Sequence, residues 1–175
     1  LRYSPVLSSN KDASFIGMDV HLMIEEPIRY VEAFHKAGAD ILNVHYEACE
    51  DVQATLDAIH KCGMKAGLTI KPATPVEVLK PYLDQAELFL IMSVEPGKGG
   101  QSFIPESLDK IRELRGLLNE KGLTADVEVD GGIHLGNAKE VLESGANVLV
   151  AGSAVFKENI AENVKGFMEI LNENE

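Results

Sequence analysis

One local pattern recurs along this chain and restricts its fold more than any single residue does. A helix-spaced stretch ends at a short turn, in most cases on glycine, and a run of consecutive apolar residues follows. Lys36-Ala37-Gly38-Ala39-Asp40 leads into Ile41-Leu42-Asn43-Val44-His45, and Lys61-Cys62-Gly63-Met64 into Lys65-Ala66-Gly67-Leu68-Thr69-Ile70. Leu83-Asp84-Gln85-Ala86-Glu87 leads into Leu88-Phe89-Leu90-Ile91-Met92-Ser93-Val94, and Glu143-Ser144-Gly145-Ala146-Asn147 into Val148-Leu149-Val150-Ala151. Glycine closes helices because it adopts the left-handed conformation without a Cβ penalty, and runs apolar on consecutive residues suit strands covered on both faces.

Strands are expected at residues 3–7, 18–23, 41–45, 65–70, 88–94, 127–130 and 148–151, seven in all. Helical spacing occupies 27–36, 51–61, 75–83, 105–120 and 136–143, and Pro27, Pro75 and Pro105 fall near helix starts, where a missing N–H costs nothing. Alternating strands and helices mean an α/β fold with a parallel sheet, either open and doubly wound or closed into a barrel. No linker interrupts the run, so residues 1–175 are expected to form a single domain. A (β/α)₈ barrel usually needs about 200–250 residues, which leaves this chain short by roughly one unit or more. The gap falls between Leu7 and Met18, where ten residues cannot hold a helix, a strand and a second helix.

With 45% hydrophobic and 25% charged residues, the chain has the material for a real core, and disorder is excluded. Cys49 and Cys62 belong to no metal-spaced cluster, so neither a disulfide framework nor a zinc ribbon is expected. A net charge of −12 repels nucleic-acid phosphates, so no nucleic-acid partner is expected. No apolar run approaches the roughly 18 residues that span a bilayer, and the first residues lack a basic-then-apolar signal pattern. The expectation is a soluble, cytoplasmic protein without a membrane partner. An anionic small substrate would then need backbone N–H groups or a metal.

In parallel α/β folds the loops after strand carboxyl ends gather on one face, and four constellations fall there. Asp130 ends the run Asp126-Val127-Glu128-Val129-Asp130-Gly131-Gly132-Ile133, in which a strand delivers a carboxylate to a loop open enough for a ligand. An Asp-Gly turn reads equally well from that segment alone. His21, polar within Met18-Asp19-Val20-His21-Leu22-Met23, is either a satisfied core histidine or, with Asp130, a ligand of a divalent ion. Gly97, Lys98, Gly99 and Gly100, within Glu95-Pro96-Gly97-Lys98-Gly99-Gly100-Gln101-Ser102, form either a flexible loop or an anion cradle. Gly152 and Ser153 close the last strand and, with Gly131 and Gly132, could form a phosphate pocket of the kind found after barrel strands seven and eight. Met23 and Met92 end their strands, where core packing is the first reading. His45 ranks as a secondary candidate, His134 could approach the pocket, and His35 and His60 lie in helices facing solvent. No Ser-His-Asp arrangement supports hydrolase chemistry.

Taken in order, Asp19-Val20-His21-Leu22-Met23, Ala37-Gly38-Ala39-Asp40, Lys71-Pro72-Ala73-Thr74-Pro75, Met92-Ser93-Val94-Glu95-Pro96-Gly97-Lys98-Gly99-Gly100-Gln101-Ser102-Phe103, Val129-Asp130-Gly131-Gly132 and Ala151-Gly152-Ser153-Ala154 resemble the ribulose-phosphate 3-epimerase family. The resemblance covers about 19–156. It implies a (β/α)₈ TIM-type barrel of the ribulose-phosphate-binding type. It also implies interconversion of D-ribulose 5-phosphate and D-xylulose 5-phosphate in the pentose phosphate pathway. Epimerisation of another ketose phosphate, such as allulose 6-phosphate, is the neighbouring possibility.

The resemblance makes His21 a metal ligand and Asp130 both a metal ligand and an acid/base, with one divalent ion (Zn, Fe, Mn or Co) as cofactor. Gly97, Lys98, Gly99 and Gly100 would close on substrate, Gly131, Gly132, Gly152 and Ser153 would hold its phosphate, and Met23 and Met92 would pack by the reacting carbons. Removing a proton beside a carbonyl and returning one to the opposite face needs two flanking acid/base groups, and a divalent ion offsets the developing charge.

The chain departs from the family in one region. The His-x-Asp-x-Met-Asp-Gly run of the family's second strand is absent, together with the first and second helices around it. Half the metal ligands and the opposite acid/base carboxylate go with it. Pro5 stands where a substrate-contacting serine is expected, with Ser4 or Ser8 as substitutes, and Lys71 replaces an asparagine. A molecule that supplies about fifty further residues is an epimerase, whereas a truly shortened one has weak or no activity or is a non-catalytic phosphosugar binder. A missing strand also exposes barrel edges, so a homo-oligomer is expected.

Overall fold

The structure, a computed structural model, describes residues 17–97 and 100–174. The strand expected at 3–7, with Pro5, Ser4 and Ser8, and the loop residues Lys98 and Gly99 lie outside the described residues. Six parallel strands follow one another in sheet order: β1 (Asp19–Leu22), β2 (Ile41–His45), β3 (Lys65–Ile70), β4 (Leu88–Met92), β5 (Asp126–Asp130) and β6 (Val148–Val150). The helices are α1 (Val31–Lys36), α2 (Val52–Lys61), α3 (Ser107–Glu120), α4 (Ala138–Glu143), α5 (Ser153–Phe156) and α6 (Ile160–Asn172). Among the described residues, β1 and β6 each have one strand partner.

The sheet is rolled into a barrel wall, and side-chain contacts measure the curl. Asn43 on β2 donates from Nδ2 to Glu128 Oε2 on β5 at 3.1 Å. Three strand spacings separate these strands, about 14 Å in a flat sheet. Only a strongly curved sheet brings the two side chains together.

Alternation along each strand then sorts residues to two sides of the wall. Outside, Leu42, Val44, Leu68, Ile70, Phe89, Ile91, Val127 and Val129 are buried under the helices. The helices answer with Leu56 and Ile59 of α2 and Ile111, Leu114 and Leu118 of α3, all fully buried. Inside, Leu88, Leu90, Met92 and Val94 form a second, smaller apolar cluster with Ile41. β4 is therefore buried at every position because it is covered on both faces.

Local chemistry explains most element boundaries. Asp51 caps α2, accepting from the Ala54 N–H at 2.9 Å. Residues 75–83, expected to be helical, form a 3₁₀ helix at Val76–Tyr82. Pro81 lies inside it, where an α-helix would lose a donor and push the ring against the carbonyl four residues back. Pro27 opens another 3₁₀ turn, Pro27–Tyr30, ahead of α1.

Candidate active site

Two polar layers stack inside the barrel wall. In the lower one, Asn43 lies between Glu128, to which it donates, and Thr69 Oγ1, from which it accepts at 2.6 Å. Gly67 makes room for this amide: a Cβ there would lie 2.6 Å from Asn43 Cγ. Glu128 is 5% exposed and hydrogen-bonded to Asp19 of β1. Burial, followed by the charge of Asp19, pushes its carboxyl up to about 8. Burial also raises Asp19, so the pair shares a proton.

The upper layer holds the expected site residues. His21 Nδ1 lies 3.7 Å from Asp130 Oδ2, with the two side chains 16% and 26% exposed. On its other side His21 Nε2 contacts His45 Nε2 at 2.8 Å, and the rings stack with centroids 4.9 Å apart. His45 is buried, and its Nδ1 faces Glu47 Oε2 at 3.5 Å. Burial would raise the Glu47 carboxyl, but the His45 ring, the Lys71 N–H and the Thr74 hydroxyl outweigh it and hold it at about 2.

Above Asp130 opens a cavity of about 340 Å³. Met23, Met92, Gly97, Gly100, Asp130, Gly131, Gly132, Gly152 and Ser153 all line it, so the expected loop, strand-end and glycine residues that the structure describes converge. Met92 is buried, as core packing anticipates, whereas Met23 lies beyond the end of β1 and is 47% exposed. The glycine pair is sterically required. Gly132 has φ +64°, and a Cβ there would sit 2.3 Å from the Phe103 N and 2.8 Å from its Cα. Ser93 ties the ends of β4 and β5 together, its N–H donating to Asp130 O at 2.9 Å and its hydroxyl lying 2.7 Å from Gly131 O.

His134 lines an adjoining cavity, while its ring accepts from the Gly136 N–H. His60 meets Glu87 at 3.0 Å on the outer surface, away from the site. Both cysteines are free and half-buried. Glu128, Asp19, Asn43 and Glu47 were not singled out from sequence. The alternation of Asp126, Glu128 and Asp130 with Val127 and Val129 was the signal for the first of these.

His21 and Asp130 suit one flank of a divalent-ion site: a nitrogen and a carboxylate oxygen 3.7 Å apart can bind one ion between them. Among the described residues, no group of three His, Cys, Asp or Glu donors converges to complete such a shell. No described helix is long and apolar enough to cross a membrane.

Comparison with known proteins places this geometry in context. The model of the ribulose-phosphate 3 epimerase family matches residues 4–156. The ribulose-phosphate 3-epimerase of Synechocystis sp. is 54% identical over 152 residues, covering 85% of this chain and 66% of the relative. That of Bacillus subtilis is 48% identical, with coverage of 86% and 70%, and the chloroplastic ribulose-5-phosphate-3-epimerase of Arabidopsis thaliana is 46% identical, with 92% and 58%. The chain thus spans about two thirds or less of the length of most curated relatives it matches. Among solved structures, 3-hexulose-6-phosphate synthase from Salmonella typhimurium superposes with a TM-score of 0.74 at 16% identity, covering 97% of this chain and 80% of that one. The 3-keto-L-gulonate-6-phosphate decarboxylase of Vibrio cholerae gives 0.72 at 14%, covering 97% and 78%. At such identities these two speak for the fold alone, that of a TIM-type barrel.

Proposed function

Because the chain belongs to the ribulose-phosphate 3-epimerase family, we propose that it binds a phosphorylated ketose in the cavity above Asp130 and moves the proton at C3, interconverting D-ribulose 5-phosphate and D-xylulose 5-phosphate. The observation that carries this reading is the convergence of Asp130, His21 and the glycine-lined wall at the carboxyl ends of the strands. Backbone N–H groups around Gly131, Gly132, Gly152 and Ser153 can bind a phosphate without any cationic side chain, which suits a chain of net charge −12. Phosphate anchoring fixes the sugar against Asp130, a gain in orientation rather than in reactivity. The loop with Gly97, Lys98, Gly99 and Gly100 closes over the substrate and excludes water, and Met23 and Met92 supply apolar contact beside the reacting carbons.

Asp130 serves one face of C3, taking the proton there from one epimer and delivering it there to form that epimer in the reverse direction. His21 and Asp130 would hold a divalent ion, which would supply Lewis-acid stabilisation of negative charge developing on the substrate. Inversion needs an acid on the opposite face, and Asp19 cannot serve because it is paired with Glu128 in the layer below. With Asp130 alone, the chemistry reaches proton exchange with retention. Full epimerisation requires a second carboxylate from outside the described residues.

That single carboxylate also favours a second reading, a phosphosugar-binding barrel without turnover. The two part company in a coupled assay with ribulose 5-phosphate, run beside calorimetric binding of the same sugar. Formation of xylulose 5-phosphate supports the epimerase, and binding with neither product nor C3 proton exchange supports the non-catalytic barrel. Faster turnover of allulose 6-phosphate would reassign the substrate. The reading also takes the protein to act in the cytoplasm as a homo-oligomer, since among the described residues β1 and β6 each have one strand partner and so an edge a second copy can cover.

A further inference from the structure

His45 and Glu47 have no part in the chemistry above, yet they form a row of facing polar groups that ends on the ring beside Asp130. Glu47 Oε1 accepts from the Lys71 N–H at 2.8 Å and from the Thr74 hydroxyl, which leaves Oε2 facing His45 Nδ1 at 3.5 Å. That Nδ1 is buried and makes no hydrogen bond of ordinary geometry, so the Glu47 carboxylate is the group it faces rather than one it is bonded to. The loop presenting these donors is itself fixed, because Lys110 Nζ donates to the carbonyls of Lys71, Pro72 and Thr74 at 2.8, 3.0 and 2.6 Å.

Each ring faces an accept-only carboxylate through Nδ1, His45 at 3.5 Å and His21 at 3.7 Å. With one proton in the Nε2–Nε2 contact, only one of these Nδ1 atoms is protonated when both rings are neutral, and the shorter, more buried contact to Glu47 takes it. His45 is then protonated on Nδ1 and bare on Nε2. Its Nε2 lies 2.8 Å from His21 Nε2, a distance that two bare nitrogens would not hold. The proton of that contact therefore belongs to His21 Nε2, and His21 Nδ1 is left with its lone pair toward Asp130.

We infer that Glu47 and His45 are positioning residues that hold His21 in its Nε2–H tautomer, presenting a bare Nδ1 to Asp130 Oδ2 across 3.7 Å. Two electron-pair donors then face each other with no proton between them. Such a gap attracts a cation, and outer partners of this kind are what fix the tautomer of a ligating imidazole. The usefulness of the arrangement rests on the epimerase reading. The tautomers do not, so they can be tested in protein that turns nothing over.

The decisive experiment uses ¹⁵N-histidine protein treated with chelator and held at a pH where the rings are neutral. Long-range ¹H–¹⁵N spectra report which ring nitrogen bears the proton, and His21→Asn identifies the His21 signals. In the unaltered chain His45 should be protonated on Nδ1, against the usual preference of free imidazole, and His21 on Nε2. Glu47→Gln is isosteric and keeps Oε1 for Lys71 and Thr74, but it turns a donor toward His45 Nδ1. Both rings should then switch together, His45 to Nε2–H and His21 to Nδ1–H. Glu47→Ala, which removes the acceptor without adding a donor, should leave His45 a mixture of tautomers. A His45 protonated on Nε2 in the unaltered chain would overturn the inference, as would tautomers unmoved by both substitutions.

Discussion

Glu128→Gln gives the sharpest test of the barrel interior. Burial beneath the site, with Asp19 as its partner, moves the Glu128 carboxyl from 4.5 to about 8, so the folded state holds a proton that the unfolded chain releases. Its stability contribution is therefore fully present below about pH 4.5 and is lost as pH rises through 8. Across that interval the loss approaches about 1.4 kcal/mol per pH unit, an upper limit of about 5 kcal/mol for a group that is 5% exposed. Because Asp19 shares the proton, the loss should fall short of that limit. Glutamine donates to Asp19 as the protonated acid does and still accepts from Asn43, but it does not titrate. Urea unfolding at pH 5.5, 6.5, 7.5 and 8.5 should show the unaltered chain losing stability steadily while Glu128→Gln stays nearly flat and becomes the more stable protein above pH 7.5. Parallel pH profiles, or a variant less stable at every pH, would refute the shared-proton account.

Two further substitutions address the walls of the site. Gly132→Ala forces a left-handed φ of +64° on a side chain whose Cβ meets the Phe103 backbone at 2.3 Å. It should cost at least about 2 kcal/mol in urea unfolding and weaken phosphosugar binding in calorimetry. Lys110→Met removes the donor to three carbonyls of the 71–74 loop. It should cost about 1–3 kcal/mol and speed amide exchange at Lys71 and Thr74, whereas unchanged exchange would mean the loop holds itself.

Legibility of the fold followed the apolar runs. β2 and β3 lie where consecutive apolar residues place them, because strands covered by helices outside and side chains inside leave little room for polar ambiguity. The same cue concealed the interior. Reading 126–130 as a strand that delivers one carboxylate passed over its period of two, which turns Asp126, Glu128 and Asp130 to one side and the valines to the other. Asp19, Asn43 and Thr69 share that inward side, yet their meeting with Glu128 depends on barrel curvature, which no local pattern encodes. α6 gives a weaker cue: Ile160, Val164, Phe167 and Met168 are helically spaced, but Phe167 alone of these is buried and most of the stripe is exposed. At the site, strand ends and glycine pairs were visible as motifs. The Glu47–His45–His21 chain was not, because it joins two strands and a loop brought together only by the fold.

The central claim is that Asp130 moves the C3 proton of a phosphorylated ketose, and its most direct test is deuterium incorporation at C3 of ribulose 5-phosphate in D₂O, followed by NMR. The chain should exchange that proton, with or without inversion, and Asp130→Asn should slow exchange by about 10²–10⁴-fold while still binding the sugar. Exchange at an unchanged rate in Asp130→Asn would contradict the account.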